Sequence, residues 1–590
     1  MPRTRAEDAM TDARGANARI GGELLADTLV AHGVETVFCL AGTAHTFLLR
    51  ALARRNVAIC STRHEATAVL AADGYARTSG RTGIALIKND QGLPNALTGI
   101  CTANAACSPV VVLSSLGPRS GVEAGGDTHA AELEIALPVA KWVRVVPAAE
   151  RLGEFLGLAM KRARDGRPGV ALLGVPQEML GRPVPEAAIR PVHPPAAPPA
   201  PDRAAILRVA DLLAAAERPI ILAGAGAMLS GAAEALAALA TRHRVPVFGN
   251  SLGRGLVPED GARGFSWPYA QTAARRADLV IAAGIRFTQR LGYGLPPRFA
   301  ADARFVQIDI LPEEIGRNRP VDIAVQADAA QALAALLAEL DARGAEPRPE
   351  PAWIAEALAA RDARIAEIGH DETGDIHPYR IGRALRELLP PDAVVVGDGA
   401  DILNWLHGVY FVQRPRCYMD HYPFGSMGVG TGLALGAAAA LRDEARRTGR
   451  PARPLVLLTG DGAFGFYCAD LHSFAHADLP VLVLIANDGA WGTEHHGQLK
   501  AIGESYNTLL GKSDYHRIGE AFGFHARRIE APAEVKPAIA EALARGGRTL
   551  LNILTDTAAG ALRKSDPRVQ TVAFEDLASS LKTLGTPDVA

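Results

Sequence analysis

Nine unbroken runs of β-branched and aliphatic residues constrain this chain more than any other feature of its sequence. The runs span residues 36–42, 83–88, 109–115, 219–224, 279–284, 305–310, 393–399, 454–462 and 480–488. Alanine-rich stretches of helical character separate them. Such runs are typical of strands that are buried on both faces, as in a parallel sheet that helices cover on both sides. We therefore predict an α/β fold of doubly wound parallel sheets.

Two proline-rich stretches divide the 590 residues into blocks of domain size. They are residues 181–202, which include HPPAAPPAP, and residues 343–351, which read RGAEPRPEP. Proline cannot continue a helix or a central strand, so such stretches are typical of linkers. We predict three doubly wound domains and a C-terminal tail, at about residues 19–180, 203–342, 353–558 and 559–590.

The charge and cysteine content exclude several classes of protein. The formal net charge is −2, so no overall field attracts nucleic acid or a membrane surface. The six cysteines form no CxxC pair, which is typical of a reduced, cytoplasmic protein. No apolar run reaches the roughly 18 residues of a membrane span, and residues 1–18 lack the core of a signal peptide. We expect a soluble, cytoplasmic protein that holds any polyanionic ligand in a local site.

A GDG segment and an NDG segment follow two successive predicted strands. Asp461 lies in the first, residues 460–462, and Asn487 begins the second, residues 487–489. Because parallel strands end at one edge of a sheet, both side chains would face the same crevice. Their oxygens suit Mg²⁺, which commonly bridges a protein to a diphosphate, and the glycines let backbone amides approach phosphates. The alternative is a pair of ordinary strand-end turns.

The spacing of these two segments resembles the thiamine-diphosphate motif, in which an asparagine follows GDG at a distance. The resemblance implies that Asp461, the side chain of Asn487 and the carbonyl of Gly489 hold Mg²⁺. It also implies that four neighbouring residues border the cofactor's diphosphate, namely Gly460, Gly462, Ala463 and Phe464.

Two further segments extend this resemblance. Glu65, in RHEA before AADGYAR, matches the glutamate that binds the pyrimidine nitrogen in thiamine enzymes of the acetolactate-synthase type. By itself Glu65 is equally typical of a helix-surface acid. In DHYPFGSMGVG, the resemblance implies that the carbonyl of Gly425 binds the cofactor's amino group and that Met427 lies beneath the bent cofactor. A methionine at such a helix start is otherwise typical of core packing.

The whole chain thus resembles the thiamine-diphosphate enzymes. The resemblance implies a pyrimidine-binding first domain, a middle domain, and a third domain that binds thiamine diphosphate and Mg²⁺. Because the glutamate and the metal ligands lie in different domains, the family builds each active site across two subunits. A homodimer or homotetramer is therefore implied.

The middle domain indicates a branch of the family. GYGLPPRF, QIDI, EEIG and NRP, between residues 286 and 328, resemble 2-hydroxyacyl-CoA lyases and oxalyl-CoA decarboxylases. In those enzymes this domain binds ADP or the nucleotide end of coenzyme A. Asp309 could accept hydrogen bonds from a ribose or adenine, and Arg254 and Arg286 could face phosphates. The alternative is that these charges cap helices and stabilise the domain.

Cleavage of a 2-hydroxyacyl thioester also requires an acid/base group near the substrate. His129, in GGDTHAAELE, lies where relatives carry a Gln-Glu or Tyr-Glu pair, and Glu494, in WGTEHHGQ, lies where oxalyl-CoA decarboxylases carry a tyrosine. We predict both as catalytic, with a surface role as the alternative for Glu494. Residues 88–92, KNDQG, replace the family's Ser-Gly-Pro-Gly turn, with an effect that the sequence leaves open.

The C-terminal tail begins with Arg563 and Lys564 and continues into an amphipathic pattern. In related CoA enzymes the C-terminus folds over the bound thioester and places cations near its phosphates. The alternative is a helix that docks permanently on the surface.

The leading hypothesis is a lyase that cleaves a short 2-hydroxyacyl-CoA, such as 2-hydroxyisobutyryl-CoA, to formyl-CoA and a ketone or aldehyde. The alternative is an acetolactate-synthase-like carboligase, or a decarboxylase of 2-oxo acids or oxalyl-CoA. A catalytically idle relative is a third reading, against which Glu65, Asp461 and Asn487 argue. The acyl group, its stereochemistry and the physiological direction stay open.

Overall fold

Three six-stranded parallel sheets organise the chain in this computed structural model. The structure describes residues 19–88, 90–121, 130–185, 196–261, 263–266, 273–368 and 374–560. The chain divides into two compact units after Ala196, with residues 77–80 grouped with the second unit. The predicted α/β class with three parallel sheets is confirmed.

The first unit contains one of these sheets. Every residue of two adjacent central strands is buried, because helices cover both faces of the sheet. In spatial order the strands are Ala58–Ser61, Thr36–Cys39, Gly83–Lys88, Val110–Leu116, Val170–Pro176 and Trp142–Val145. The helices are Gly21–Ala31, Thr46–Arg54, Glu65–Ser79, Gly92–Ala105, Leu152–Arg164 and Gln177–Gly181. A short antiparallel pair, Arg19–Ile20 with Pro183–Val184, joins the two ends of this region.

The second unit holds the other two sheets, of which the first lies in the middle of the chain. The carboxylates of Asp202 and Asp328 cap two of its helices by accepting hydrogen bonds from backbone amides. The strands in spatial order are Gly264–Ser266, Val247–Gly249, Pro219–Ala223, Leu279–Ala283, Arg304–Asp309 and Ile323–Gln326. The helices are Arg203–Ala215, Ala225–Ser230, Ala233–Arg242 and Ala329–Ala342, and the 3₁₀ segments are Ser251–Gly253, Gln289–Gly294 and Pro312–Glu314.

The last sheet carries the GDG and NDG segments at its carboxyl edge. Its strands in spatial order are Tyr418–Met419, Val394–Asp398, Leu455–Gly460, Val481–Asn487, Arg548–Leu554 and His525–Ile529. Its helices are Tyr379–Leu388, Asp401–His407, Gly430–Thr448, Asp461–Tyr467, Leu471–His476, Gly492–Ile502, Tyr515–Ala521 and Pro532–Arg545. Helix Ala355–Ile368 precedes them and packs through Leu358 against the core of the middle sheet. The longest helix, Gly430–Thr448, ends at Gly449, whose φ of 69° suits the left-handed turn at a helix terminus.

All nine strands predicted from apolar runs are present. The largest difference is in the first, which ends at Cys39 instead of residue 42. Among the described residues, no helix combines the length and the apolar character that crossing a membrane requires.

Candidate active site

Asp461 and Asn487 meet at the carboxyl edge of the last sheet. Helix Asp461–Tyr467 begins directly after strand Leu455–Gly460, so Asp461 stands at the sheet edge. Gly460 pairs with Ala486 of the neighbouring strand, which places Asn487 one residue further along that strand. The register between the two strands therefore brings the predicted metal ligands side by side.

Each of these side chains presents a buried oxygen without a hydrogen-bond donor. The amide nitrogen of Asn487 donates to the carbonyl of Ser513 at 2.9 Å and to Oδ1 of Asn552 at 3.0 Å. These two bonds fix the amide, so its Oδ1 is left as a free acceptor. Within the described part of the chain, neither Oδ1 of Asn487 nor Oδ2 of Asp461 has a hydrogen-bond partner. Buried oxygens of this kind need a partner, and a hard cation such as Mg²⁺ fits them.

Asp488 adds a second carboxylate that the sequence analysis did not single out. Its side chain lies within hydrogen-bonding reach of Asp461. Burial is the main cause that raises the pKa of Asp461, and the charge of Asp488 raises it further. Burial also raises the pKa of Asp488. The GDG and NDG segments each contain an acid. The register between the two strands, which shows that these acids lie side by side, was needed to recognise the pair.

The carbonyl of Gly489 has other partners in this structure. It accepts hydrogen bonds from the amides of Leu510 at 2.7 Å and Gly511 at 2.9 Å. The described residues contain no group of three or more His, Cys, Asp and Glu side chains arranged for a metal. The site thus depends on one carboxylate and one amide, and the role of Gly489 stays a prediction.

One pocket collects most of the residues predicted in the last domain. Within it, Gly462 must lack a side chain, since a Cβ there would lie 2.5 Å from the ring of Trp491. Phe464 is buried beside it and packs edge-to-face on Tyr515. Gly425, with φ of 87°, lies two residues before a pocket-lining methionine. The predicted residues that line the pocket are Met427, Gly460, Asp461, Gly462, Ala463 and Glu494.

The pocket wall is acidic. Asp401 and Asp556 join Asp461, Asp488 and Glu494 in lining it. No lysine or arginine among the described residues lines it. A diphosphate in this pocket would therefore need a metal cation and backbone amides to balance its charge. The sequence analysis missed Asp401, which follows strand Val394–Asp398, and Asp556, which follows strand Arg548–Leu554.

Glu65 begins a helix in the first unit and is only 7% exposed. The amide of Asn95 donates to its Oε2 at 3.1 Å. A Cβ on Gly92 would lie 3.2 Å from Oε1, so glycine keeps the space beside the carboxylate open. In the unusual turn before Gly92, Lys88 pairs with the buried Asp90 at 3.0 Å. The two charges of this turn therefore neutralise each other.

Arg286 lies in a separate pocket of the middle domain. Gln307, Glu314, Arg317 and Asn318 also line that pocket. Glu314 pairs with Arg317 at 3.4 Å, and the side-chain amides of Gln307 and Asn318 donate to backbone carbonyls. An anionic ligand there would meet two arginines and one acid. Asp309 ends strand Arg304–Asp309, and its Oδ1 accepts a hydrogen bond from the amide of Leu311.

Arg254 has a structural environment instead of an open one. It is 4% exposed and forms a two-pronged ion pair with Glu259, at 2.9 and 2.6 Å. Its guanidinium also donates to the carbonyl of Tyr410 and lies over the ring of Tyr418. Because Arg254 is buried and Glu259 balances its charge, the structure contradicts the prediction that it faces a phosphate.

The predicted residues His129, Arg563 and Lys564 lie outside the described residues, as do Thr128 and Asn89.

Comparisons with known proteins cover most of the chain. Residues 19–137 match the N-terminal TPP binding domain of thiamine pyrophosphate enzymes, residues 206–336 their central domain, and residues 392–553 their C-terminal TPP binding domain. A probable acetolactate synthase of Mycobacterium bovis is 31% identical over 94% of this chain and 99% of its own length. The human 2-hydroxyacyl-CoA lyase 1 is 26% identical over 91% of this chain and 94% of its own. A rice 2-hydroxyacyl-CoA lyase is 27% identical over 92% and 96%, respectively.

Proposed function

This chain belongs to the thiamine pyrophosphate enzyme family, and we propose that it is a lyase that cleaves a short 2-hydroxyacyl-CoA. The substrate would be of the type of 2-hydroxyisobutyryl-CoA, and the products would be formyl-CoA and a ketone or aldehyde. The observation that carries the cofactor part of this proposal is the pair of buried acceptor oxygens on Asp461 and Asn487.

When bound, thiamine diphosphate supplies a nucleophilic carbon and an electron sink for the carbon–carbon bond that breaks. Asp461 and Asn487 would hold Mg²⁺ against the diphosphate, with the Gly489 carbonyl as a third ligand. Glu65 would hold a hydrogen bond to the pyrimidine nitrogen. Met427 would support the cofactor from the pocket wall.

Glu494 is the described residue best suited to handle the substrate's proton. It lines the same pocket as Asp461 and Met427, and its carboxylate is exposed. A carboxylate there can take the hydroxyl proton as the carbon–carbon bond breaks and a ketone is released. The thioester carbonyl carbon, still bound to the sulfur of coenzyme A, takes up a proton and is released as formyl-CoA. His129 stays a second candidate for this proton transfer.

The coenzyme A part of the proposal is supported by the middle domain. Arg286 lines a pocket there and could pair with the phosphates of ADP or coenzyme A. Arg317 lines the same pocket and could join it by exchanging its pair with Glu314 for a phosphate. Asp309 would accept hydrogen bonds from the ribose or adenine. The 2-hydroxyacyl-CoA lyases of human and rice are 26% and 27% identical to this chain over 91% and 92% of its length, and this similarity supports the same substrate class.

An acetolactate-synthase-like carboligase is the second candidate. It is favoured by relatives of that name that reach 31% identity over 94% of this chain. A carboligase consumes 2-oxo acids and needs no coenzyme A. An oxalyl-CoA or 2-oxo-acid decarboxylase would instead release carbon dioxide.

Substrate consumption separates these candidates. The protein, loaded with thiamine diphosphate and Mg²⁺, is incubated with 2-hydroxyisobutyryl-CoA, with oxalyl-CoA and with pyruvate, and products are measured by chromatography. We expect acetone and formyl-CoA from the first. Glu494→Gln should lower kcat about 100-fold or more, whereas Glu504→Gln, an exposed acid outside the pocket, should not. Turnover of pyruvate to acetolactate without acetone formation would refute the lyase.

We also propose a cytoplasmic homodimer or homotetramer with shared active sites. Mixed subunits test the sharing. Glu65→Gln and Asp461→Asn are each expected to be inactive. If Glu65 and Asp461 act from different subunits, mixed dimers regain one intact site, and the mixture recovers about a quarter of wild-type activity. An inactive mixture with verified subunit exchange would show that each site lies within one chain.

A further inference from the structure

The loop between strand Tyr418–Met419 and helix Gly430–Thr448 carries two of the proposed cofactor contacts. Gly425 lies at its exposed tip, and Met427 lines the pocket. A glycine-rich loop of this kind has many accessible conformations and needs fixed points to hold one of them. A residue of the neighbouring strand, Val394–Asp398, fixes the loop in this way.

Asp398, the last residue of strand Val394–Asp398, binds the end of this loop. Its Oδ1 accepts hydrogen bonds from the amides of Gly428 at 3.2 Å and Gly399 at 2.8 Å, and its Oδ2 accepts one from Gly430 at 2.8 Å. The carboxylate is 1% exposed. One buried side chain therefore holds backbone amides on both sides of Val429, directly after Met427.

The fit is close enough to require glycine at two positions. Gly428 has φ of 85°, which side chains rarely permit. A Cβ on Gly430 would lie 2.6 Å from Cβ of Asp398 and 3.0 Å from its Oδ2. The glycines thus let the backbone approach the carboxylate.

Burial makes the ionised form of the Asp398 carboxylate energetically unfavourable. Burial raises the pKa of Asp398 to about 6, and the three backbone amides lower it only in part. The nearest ring nitrogen, Nδ1 of His421, lies 3.8 Å from its Oδ1 and is itself buried. An aliphatic side chain would avoid this cost, so the hydrogen bonds to the loop are a reason for an acid at this position.

We propose that Asp398 is a positioning residue that fixes the turn around Met427 and Gly428 before the cofactor binds. It acts through the loop and does not touch the cofactor. The inference rests on the proposed roles of Gly425 and Met427. The alternative is a purely structural role, since Gly430 begins a helix and Asp398 also caps it.

Hydrogen exchange followed by mass spectrometry tests this on the full-length protein without cofactor. In the wild type, we expect slow exchange for the amides of Gly428 and Gly430. In Asp398→Asn, exchange in the peptide over residues 424–430 should accelerate about 10- to 100-fold, while strand Val394–Asp398 keeps its protection. Asp443→Asn is the matched control, because Asp443 is equally buried in the same domain but pairs with Arg442.

Cofactor binding gives the second readout. Asp398→Asn should weaken thiamine diphosphate binding about 10-fold or more and alter the near-ultraviolet circular dichroism of the bound cofactor, whereas Asp443→Asn should change neither. Lower thermal stability with unchanged affinity and dichroism would show a structural role only. If Asp398→Asn does not fold, fast exchange of Gly428 and Gly430 in the cofactor-free wild type overturns the proposal and slow exchange supports it.

The two readouts keep this proposal separate from the proposed function. The exchange experiment contains no cofactor, so its result stands whatever ligand the pocket takes. A wild-type protein that binds no thiamine diphosphate would overturn the proposed function instead.

Discussion

Replacing Asp461 with asparagine should stabilise the metal-free protein and abolish its stabilisation by the loaded cofactor. Asp461 is 1% exposed, one of its oxygens has no hydrogen-bond partner, and Asp488 lies beside it. Burial and the charge of Asp488 raise the pKa of Asp461 to about 8. Above that pH the asparagine removes a buried negative charge, and its amide can donate to Asp488. Above that pH, the change therefore relieves a repulsion that a cation relieves in the wild type.

The size of the effect follows from these contacts. An unsatisfied buried polar group costs about 1–3 kcal/mol, and more when it is charged. For a domain of this size, each kcal/mol shifts Tm by about 2–4 °C. At about pH 9, where Asp461 is ionised, we expect Tm of the metal-free Asp461→Asn protein to exceed that of the wild type by roughly 2–12 °C. The wild type should gain about 2.7 kcal/mol when ligand is present at 100 times its Kd, and the variant should gain almost nothing.

Differential scanning fluorimetry with and without thiamine diphosphate and Mg²⁺ measures both parts. Asp443→Asn provides the matched control, since it removes one partner of an ion pair with Arg442 and should lower Tm in both conditions. The reasoning is refuted if metal-free Asp461→Asn is less stable than the wild type and still gains as much from the cofactor.

Gly462, Asp398 and Glu259 each make a contact that one substitution can test. Gly462→Ala places a Cβ 2.5 Å from the ring of Trp491, so thiamine diphosphate affinity should fall about 10-fold or more in a fluorescence titration; unchanged affinity would contradict this. Folding raises the pKa of Asp398 from 3.8 to about 6, so the folded protein binds this proton more tightly than the unfolded chain does. The Tm advantage of the wild type over Asp398→Asn should therefore shrink as pH rises from 4 to 6.5. A Tm advantage that grows with pH would contradict this prediction. Glu259→Gln leaves Arg254 buried without its counter-charge and should cost about 3–5 kcal/mol in chemical denaturation, whereas the double variant with Arg254→Met should recover part of that loss.

The resemblance to thiamine-diphosphate enzymes was available from the sequence and is confirmed by the family matches. The nine strands could also be predicted from the sequence. A strand buried on both faces is apolar at nearly every position, so its own residues reveal it without knowledge of the neighbouring strands. The sheet edge that carries Asp461 and Asn487 followed from the same rule, since all strands of a parallel sheet end on one side.

The individual side chains were less predictable. The sequence allowed two readings of Arg254, as a residue facing phosphates or as a charge that stabilises the domain. Only the fold brings Glu259 and the carbonyl of Tyr410 to its guanidinium. The sequence distance between Arg254 and Tyr410 gave no signal of this contact.

The sequence alone determined the fold class, the family and the residue types at the cofactor site, because these depend on local pattern and on short spacings. The tertiary structure decided which atoms face each other. It oriented the amide of Asn487 through Ser513 and Asn552, set Asp488 beside Asp461, and bound Asp398 to the loop that carries Met427. Hydrogen bonds and charge interactions act over a few ångströms in space, and only folding sets those distances between residues that are far apart in the chain.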